Sequence, residues 1–335
     1  MLFSNKIPVR FEGSIWKFLK KFFPKKMIVS PKILFQKALA EKYAIPAFNV
    51  NNMEMIQGIM DGVAAENSPV ILQVSAGARK YAGAIFLRKL IEAAEEKYPQ
   101  IPFAIHLDHG EDFAICKSCI ENNFNSVMID ASKFPLEKNI EITKSVVDFA
   151  REKNVAVEAE LGKLAGVEDS ISVAARDAKF TDVAEAKIFV EKTGCDSLAI
   201  AVGTSHGAFK FTGEPFLSFE RIAEIEKNLP NFPLVLHGAS SVLQDFVELC
   251  NDFGGEISGA RGVSEELLNR AATQTNICKI NIDTDLRLVM TGAIRKNLAE
   301  NPANFDPRKF LGAARDEFEK MVRHKVRVCN SQNKA

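Results

Sequence analysis

Three of the five histidines in this sequence occur in the same local setting. Each ends a short apolar run or closely follows one, and each is followed directly by glycine. The pairs are His109-Gly110, His206-Gly207 and His237-Gly238. Neutral imidazole is the commonest transition-metal ligand, and three protein ligands with one open position are typical of a catalytic zinc site. The recurrence predicts one metal site assembled from distant parts of the chain.

Carboxylates stand at the same kind of position as these histidines. Asp108 directly precedes His109, and an acid beside a metal can move a substrate proton. The alternative is that Asp108 only orients a ligand. Asp130 and Glu160 directly follow two neighbouring apolar runs, 126–129 and 155–159. They could form an alternate or second cation position. His106 lies one strand period from Asp108 and is interpreted as a supporting or packing residue rather than a ligand.

Several loops carry residues suited to phosphate or to proton transfer. The segment 162–176 is the longest without apolar periodicity, and it resembles a mobile active-site loop that could bring Glu168 to a bound substrate. An exposed acidic loop is the competing interpretation. The loops after the last three apolar runs offer glycine amides, hydroxyls and a lysine, at 203–210, 237–241 and 281–284. Barrel enzymes commonly bind phosphate there, and Arg79 and Arg287 are further cationic candidates.

The elements that must position these residues alternate regularly from Met27 onward. Amphipathic stretches separate eight short apolar runs, which predicts strands and helices of a parallel sheet. The predicted strands are Ile45–Val50, Val70–Val74, Phe103–Leu107, Ser126–Ile129, Val155–Ala159, Leu198–Val202, Leu234–Leu236 and Ile277–Ile282. Eight strands close a barrel whose active site lies at their carboxyl ends. The prediction is an α/β fold, a single (β/α)8 TIM barrel over residues 27–335 with C-terminal helices.

Composition limits the classes of function. Lys+Arg and Asp+Glu both number 43, so the chain has no net positive charge that would attract nucleic acid. Six cysteines in a chain of 335 residues indicate reduced thiols and a cytoplasmic protein rather than a disulfide framework. Cys116-x-x-Cys119 falls in a predicted helix, so a zinc or redox role is the minor alternative. No apolar run approaches the roughly 18 residues of a membrane span.

Residues 1–26 form a separate basic arm. They contain one arginine and six lysines against a single acid, Glu12, and Ile15–Phe23 interleaves bulky apolar with basic residues. An interfacial helix has this pattern. A disordered arm, or an upstream start with Met27 as the functional initiator, is favoured over membrane contact.

Six motifs together resemble one enzyme family. They are Ala47–Asn52, His106–Gly110, Val157–Gly162, Gly203–Gly207, His237–Ser240 and Asn281–Asp285. From about Met27 to about Asn333 the chain resembles the class II, metal-dependent fructose-bisphosphate aldolases, and within them the class IIB subgroup. Only the basic arm lies outside the resemblance. Ala239 stands where some relatives have serine, which removes one hydroxyl but leaves the backbone amides.

The resemblance implies roles for individual residues. The implied ligands of the catalytic Zn2+ are His109, His206 and His237, with Asp130 and Glu160 at an alternate position for a second divalent or monovalent cation. Asp108 would handle the proton of the C4 hydroxyl, and Glu168 would move the proton at C3. The implied substrate contacts are Ser75, Gly207, Lys210, Gly238, Ala239, Ser240, Asn281, Ile282, Asp283, Thr284 and Arg287. Of these, Ser75 matches the glyceraldehyde-3-phosphate side, and family dimers lend Arg287 to the neighbouring subunit.

The activity implied is reversible, zinc-dependent cleavage of fructose 1,6-bisphosphate to dihydroxyacetone phosphate and glyceraldehyde 3-phosphate, in glycolysis and gluconeogenesis. The expected partners are phosphorylated sugars and a second or further copies of the chain, as a homodimer or homotetramer. A tagatose-1,6-bisphosphate aldolase is the nearest alternative. A Schiff-base aldolase using Lys279, which nothing else in the sequence requires, and an inactive barrel kept for binding are the others.

Overall fold

The computed structural model of the chain describes residues 27–168, 171–173, 179–206 and 216–335. The basic arm at 1–26 therefore lies outside the described residues, as do Gly207 and Lys210. For Glu168 and His206 the backbone alone is described.

Eight parallel strands close into the predicted barrel. All strands are labelled in chain order, and β6, β7 and β9 belong to a separate small sheet described below. The barrel strands are β1 (Ile45–Asn49), β2 (Val70–Ser75), β3 (Phe103–Gly110), β4 (Ser126–Ile129), β5 (Ala156–Leu161), β8 (Ser197–Ile200), β10 (Leu234–Leu236) and β11 (Ile277–Ile282). Each pairs with the next in this order, and β11 closes on β1. The prediction of a TIM barrel is confirmed, with strand bounds displaced from the predicted ones by no more than a few residues.

Helices cover the outside of the barrel and its amino-terminal end. In the described part of the chain they are α1 (Pro31–Glu41), α2 (Met53–Ala65), α3 (Ala76–Ala82), α4 (Ala84–Lys97), α5 (Phe113–Glu121), α6 (Leu136–Glu152), α7 (Val183–Thr193), α8 (Phe219–Asn228), α9 (Gln244–Asp252), α10 (Glu265–Gln274), α11 (Thr284–Glu300) and α12 (Pro307–Val328). Side chains of Asn52, Asp112, Asp182, Ser218 and Ser264 cap helix N-termini, where they accept otherwise unsatisfied backbone N–H groups. Among these helices none is both long and apolar enough to cross a bilayer.

The inside of the barrel changes from apolar to charged along its axis. At one end Leu34 and Phe35 of α1 pack with Ile45 and Ile71 of the strands. Farther toward the carboxyl ends of the strands the buried residues include imidazoles, carboxylates and one lysine. Burying such groups costs free energy unless they are paired. The polar layer therefore identifies the part of the barrel that serves function.

The segment after β5 differs from expectation. It contains β6 (Ala165–Glu168) and β7 (Ile171–Val173), which pair antiparallel, and β6 also runs parallel to β9 (Ser205–His206). The sequence predicted no strands here, because two short strands leave no apolar periodicity. The hairpin is attached to the strand that carries His206, since Gly166 is the register partner of His206. Mobility of this segment stays a prediction.

Candidate metal and substrate site

A distortion of β3 places two adjacent residues at the same site. Neighbouring residues of a regular strand point to opposite faces. The register between β3 and β4 shifts between Leu107 and Gly110, and His109 has a left-handed backbone with φ of 45°. As a result, donor atoms of Asp108, His109 and His237 lie within 4.8 Å of one another. Left-handed φ is strained for a residue with a Cβ, so the bulge holds local strain where the ligands meet.

The imidazoles of His109 and His237 face each other inside the barrel mouth. Nε2 of His109 lies 2.9 Å from Nδ1 of His237. The outer Nδ1–H of His109 donates to Asp130 (3.1 Å), and the outer Nε2–H of His237 donates to Glu158 (2.8 Å). Each carboxylate therefore keeps the proton on the outer nitrogen and leaves a lone pair on the facing nitrogen. Two nitrogens bound tetrahedrally to zinc at about 2.0–2.1 Å are about 3.3 Å apart, so the two rings would separate by a few tenths of an ångström to hold the metal.

The charge states agree with a metal site. Burial by itself raises the pKa of Asp130, but the hydrogen bond from His109, with those from Ser132, holds that pKa well below its usual range. Burial likewise raises the pKa of Glu158, and the charge of Lys279 together with His106 and the hydrogen bond from His237 more than reverses the effect. Burial lowers the pKa of His237, with Glu158 opposing it. At neutral pH the two carboxylates are ionised and His237 is neutral, as metal ligation requires.

Two of the three glycines that follow these histidines, Gly110 and Gly238, are described in the structure. At both positions a larger residue would clash with backbone. A Cβ added to Gly110 would lie 2.4 Å from the carbonyl oxygen of Met128 on β4. Gly238 has φ of 60°, and its Cβ would lie 2.6 Å from the carbonyl oxygen of Ser205. Only glycine allows these close approaches of backbone to backbone. The second approach also sets the segment Ser205–His206 against the turn that follows His237.

The structure brings together five of the seven residues predicted for metal binding and catalysis. Asp108, His109 and His237 form one group of potential ligands, and His109, Asp130 and Glu160 form a second. The backbone of His206 adjoins the first group through the contact of Ser205 with Gly238. Its role as a ligand, like the role of Glu168, stays a prediction.

Amides from neighbouring strands orient the Asp108 carboxylate, which is buried. Nδ2 of Asn49 donates to one carboxylate oxygen (2.8 Å) and Nδ2 of Asn281 donates to the other (3.3 Å). Gln73 in turn donates to Oδ1 of Asn49 (2.9 Å), which fixes the amide orientation. Asn49 and Gln73 fall near the ends of the predicted strands Ile45–Val50 and Val70–Val74, but the sequence alone assigned them no role. Pairing along β1, β2 and β3 is what places them beside Asp108.

The loops predicted to hold phosphate are tied to each other. Oγ of Ser240 accepts the backbone N–H groups of Asp283 and Thr284, both at 3.2 Å. The carboxylate of Asp285 accepts the backbone N–H of Ser241 at 2.9 Å. These bonds bring the turn after β10 against the start of α11. The predicted substrate residues on the two loops therefore lie on one side of the barrel mouth: Gly238, Ala239, Ser240, Asn281, Ile282, Asp283 and Thr284.

A cavity of about 320 Å³ opens beside these loops and is lined by Ser75, Tyr81, Asp283 and Arg287, among others. Oγ of Ser75 accepts the backbone N–H of Ala78 (3.2 Å) and caps α3. Arg287 is 55% exposed and forms an ion pair with Asp283 at 2.6 Å. Ser75, predicted for the glyceraldehyde-3-phosphate side, and Arg287, predicted to reach the neighbouring subunit, thus line one cavity within the same chain.

Lys279 has a structural partner that the sequence did not reveal. Its ammonium lies 2.8 and 3.0 Å from the two oxygens of Glu158 and 3.2 Å from Nε2 of His106. The prediction that nothing else requires this lysine is wrong, because its amine is paired with Glu158. His106 also contacts Oγ of Ser126 at 2.7 Å, which agrees with a supporting role.

The remaining candidates lie away from the site. Cys116 and Cys119 are buried on α5, outside the barrel, and burial raises the pKa of the Cys119 thiol to about 11. All six cysteines are buried and free. The fifth histidine of the sequence, His324, also lies away from the site: it is half exposed on α12 and contacts Glu265.

Comparisons with known proteins agree with this geometry. A family model described as "Fructose-bisphosphate aldolase class-II" matches residues 29–334. The chain is 48% identical over 316 residues to a fructose-bisphosphate aldolase of Treponema pallidum, with 89% of this chain and 94% of the relative covered. It is also 48% identical over 300 residues to one from Giardia intestinalis, covering 89% and 91%. Among solved structures, the YdjI aldolase of Escherichia coli K12 matches with a TM-score of 0.74 and 29% identity, over 92% of this chain and 99% of that one.

Proposed function

The chain belongs to the class II fructose-bisphosphate aldolase family, and from this premise we propose how its own residues perform the reaction. The enzyme cleaves fructose 1,6-bisphosphate reversibly to dihydroxyacetone phosphate and glyceraldehyde 3-phosphate. We assign the catalytic Zn2+ to His109, His206 and His237, and Asp130 and Glu160 to an alternate or second cation. The Schiff-base alternative is set aside, because the family is metal-dependent and Lys279 forms an ion pair.

The observation that carries the metal assignment is the pair of facing imidazole nitrogens. Nε2 of His109 and Nδ1 of His237 are 2.9 Å apart, and a buried carboxylate accepts the proton of the opposite nitrogen on each ring. At this distance the two nitrogens converge on one point beside the Asp108 carboxylate, where a proton or a metal ion can be held. Imidazole nitrogens and a nearby carboxylate are the ligand types that zinc takes in proteins.

Asp108 is the group we assign to the first proton transfer. Its carboxylate lies beside the imidazoles, and the amides of Asn49 and Asn281 hold it by both oxygens. In cleavage it accepts the proton of the C4 hydroxyl while the C3–C4 bond breaks. When bound, the zinc supplies Lewis-acid stabilisation of the negative charge that develops on the ketose half. Glu168 then delivers a proton to C3, and the reverse sequence forms the bond.

The two ends of the substrate are assigned to two adjoining polar surfaces of the barrel mouth. The loops carrying Gly238, Ser240 and Asp283, together with Gly207 and Lys210, would hold the dihydroxyacetone-phosphate end. The cavity that Ser75 lines would hold the other phosphate, and Arg287 of the neighbouring subunit is assigned to the same phosphate. Fixing both ends holds the scissile bond between Asp108 and the histidines.

We further propose a cytoplasmic homodimer or homotetramer in which Arg287 reaches the site of the neighbouring subunit. Six buried, free thiols support a reducing compartment. The family match starts at residue 29, which supports a division between the arm, 1–26, and a barrel domain, 27–335. Retention of activity after removal of the arm would show that the arm is dispensable for chemistry.

The test is cleavage of fructose 1,6-bisphosphate before and after removal of metal with EDTA, with zinc added back. Tagatose 1,6-bisphosphate is assayed in parallel. Loss on chelation and recovery with zinc are expected, with fructose 1,6-bisphosphate the faster substrate. Activity that survives chelation and is abolished by borohydride would contradict the metal assignment. Faster cleavage of the tagatose compound would overturn the substrate assignment.

A further inference from the structure

Lys279 is buried in the centre of the barrel, in a place where a charge is costly. It lies on β11 with a solvent exposure of 0%. Its ammonium contacts both oxygens of Glu158, at 2.8 and 3.0 Å, and Nε2 of His106 at 3.2 Å. A buried ion pair often stabilises a fold no more than well-packed apolar residues would. The other contacts of Glu158 therefore decide whether Lys279 has a role beyond folding.

The ion pair continues directly to a proposed metal ligand. Oε1 of Glu158 accepts a hydrogen bond from Lys279 and also from Nε2 of His237, at 2.8 Å. This bond sets the proton of His237 on Nε2 and turns Nδ1 toward His109. The contacts form an unbroken path from Lys279 through Glu158 to the donor nitrogen of His237.

The other described ligand is supported differently. Asp130, which holds His109, accepts hydrogen bonds from the backbone N–H (3.1 Å) and the hydroxyl (2.7 Å) of Ser132. It lies nearer the surface, with an exposure of 8% against 2% for Glu158. Among the lysines and arginines that the structure describes, Lys279 is the one that pairs with Glu158. The orientation of the Glu158 carboxylate therefore depends on Lys279.

We propose that Lys279 is a positioning residue of the metal site, which holds the Glu158 carboxylate so that the His237 ring presents Nδ1 to the metal. This inference rests on the metal assignment made above. It gives Lys279 a purpose in the aldolase that involves no bond to the substrate. Partners of metal-bound histidines typically contribute about 10–100-fold to metal affinity.

The test is the zinc dissociation constant of the apo-protein, measured by competition with a chromophoric chelator. Lys279→Met keeps most of the side-chain volume and removes the charge, and the dissociation constant is expected to rise by about 10–100-fold. Lys325→Met is the matched control, because Lys325 is also buried and paired with two carboxylates, Glu265 on α10 and Asp285 on α11, rather than with one on a barrel strand. Its melting temperature is expected to fall while its zinc affinity stays at the wild-type value.

A double variant separates positioning from simple charge balance. In Glu158→Gln/Lys279→Met neither charge is left buried alone, so folding stability is expected to recover relative to Lys279→Met. Zinc affinity should stay weak, because a neutral amide accepts a weaker hydrogen bond from His237 than a carboxylate does. This variant also allows the measurement if Lys279→Met does not fold.

The outcomes distinguish the two proposals. If the wild-type protein binds no zinc, the metal assignment itself fails. If the wild type binds zinc and Lys279→Met or the double variant binds it equally well, the metal assignment stands and the positioning role of Lys279 is overturned.

Discussion

Gly110 offers a direct test of how closely the metal site depends on barrel packing. In Gly110→Ala the new Cβ would lie 2.4 Å from the carbonyl oxygen of Met128, 2.8 Å from Sγ of Cys116 and 3.0 Å from Cδ2 of Leu107. Overpacking of this kind typically costs 1–3 kcal/mol. The first contact is with backbone in a central strand, which cannot rotate away. We therefore expect a loss at the upper end, about 3 kcal/mol.

The loss should be visible in thermal unfolding and in metal binding. With an unfolding entropy of about 2.1 cal/mol/K per residue over roughly 300 residues, 3 kcal/mol corresponds to about 5 °C in melting temperature. The carbonyl of Gly110 also accepts the backbone N–H of Asp130 at 2.9 Å. Separation of β3 from β4 would thus move Asp130 away from His109, and zinc affinity should fall roughly tenfold.

The matched control is Gly312→Ala. Gly312 lies within α12, and a Cβ added there meets nothing within 4 Å. Alanine is a better helix former than glycine, so this change should stabilise the protein by about 0.5–1 kcal/mol and leave zinc affinity unchanged. Calorimetry of the two apo-variants and chelator competition measure both effects. A Gly110→Ala protein with the melting temperature and zinc affinity of the wild type would refute the steric argument.

Three further predictions concern chemistry, pH and the substrate phosphate. Asp108→Asn should lower kcat by about 10²–10⁴-fold with little change in zinc affinity. Steady-state kinetics and chelator competition measure the two effects. An unchanged kcat would exclude Asp108 as the proton carrier. Burial raises the pKa of Glu265, but His324 and Lys325 lower it to about 2. The pairing of Glu265 should therefore stabilise the fold fully above about pH 4.5 and lose this effect as the pH falls toward 2. The extra stability of the wild type over Glu265→Gln should disappear between these two pH values. A constant difference between their melting temperatures would contradict this. Arg287→Ala should lower kcat/KM by about 10–100-fold through loss of a charge-assisted hydrogen bond to phosphate. Mixed dimers with Asp108→Asn should recover activity if Arg287 acts across the interface, and no recovery would place it in its own site.

The barrel could be predicted from the sequence because each of its strands is a local signal. Buried parallel strands are continuous apolar runs, so Phe103–Leu107 or Leu234–Leu236 could be recognised without knowledge of their neighbours. The carboxyl ends of parallel strands meet at one edge, which was enough to group Asp108, His109 and His237. Local pattern therefore accounts for the fold and for much of the candidate site.

What the sequence could not show depends on contacts across the barrel. The path from Lys279 to Glu158 joins strands that are not neighbours, and only the closed geometry brings the two side chains together. The bulge at His109 likewise has no signal in residue type, because strand periodicity assigns Asp108 and His109 to opposite faces. The strands β6, β7 and β9 are too short for periodicity to reveal them.

The small sheet beside the barrel has a consequence for engineering and for evolution by recombination. Its strands β6 and β9 come from the loops after two different barrel strands, and backbone pairing joins them at Gly166 and His206. At the bases of the same loops, Phe180 and Phe216 lie with ring centroids 6.0 Å apart. A chimaera that takes one loop from a relative and keeps the other would mismatch both contacts next to a proposed ligand. The two loops therefore form one structural unit, and a chimaera between relatives should exchange both loops together.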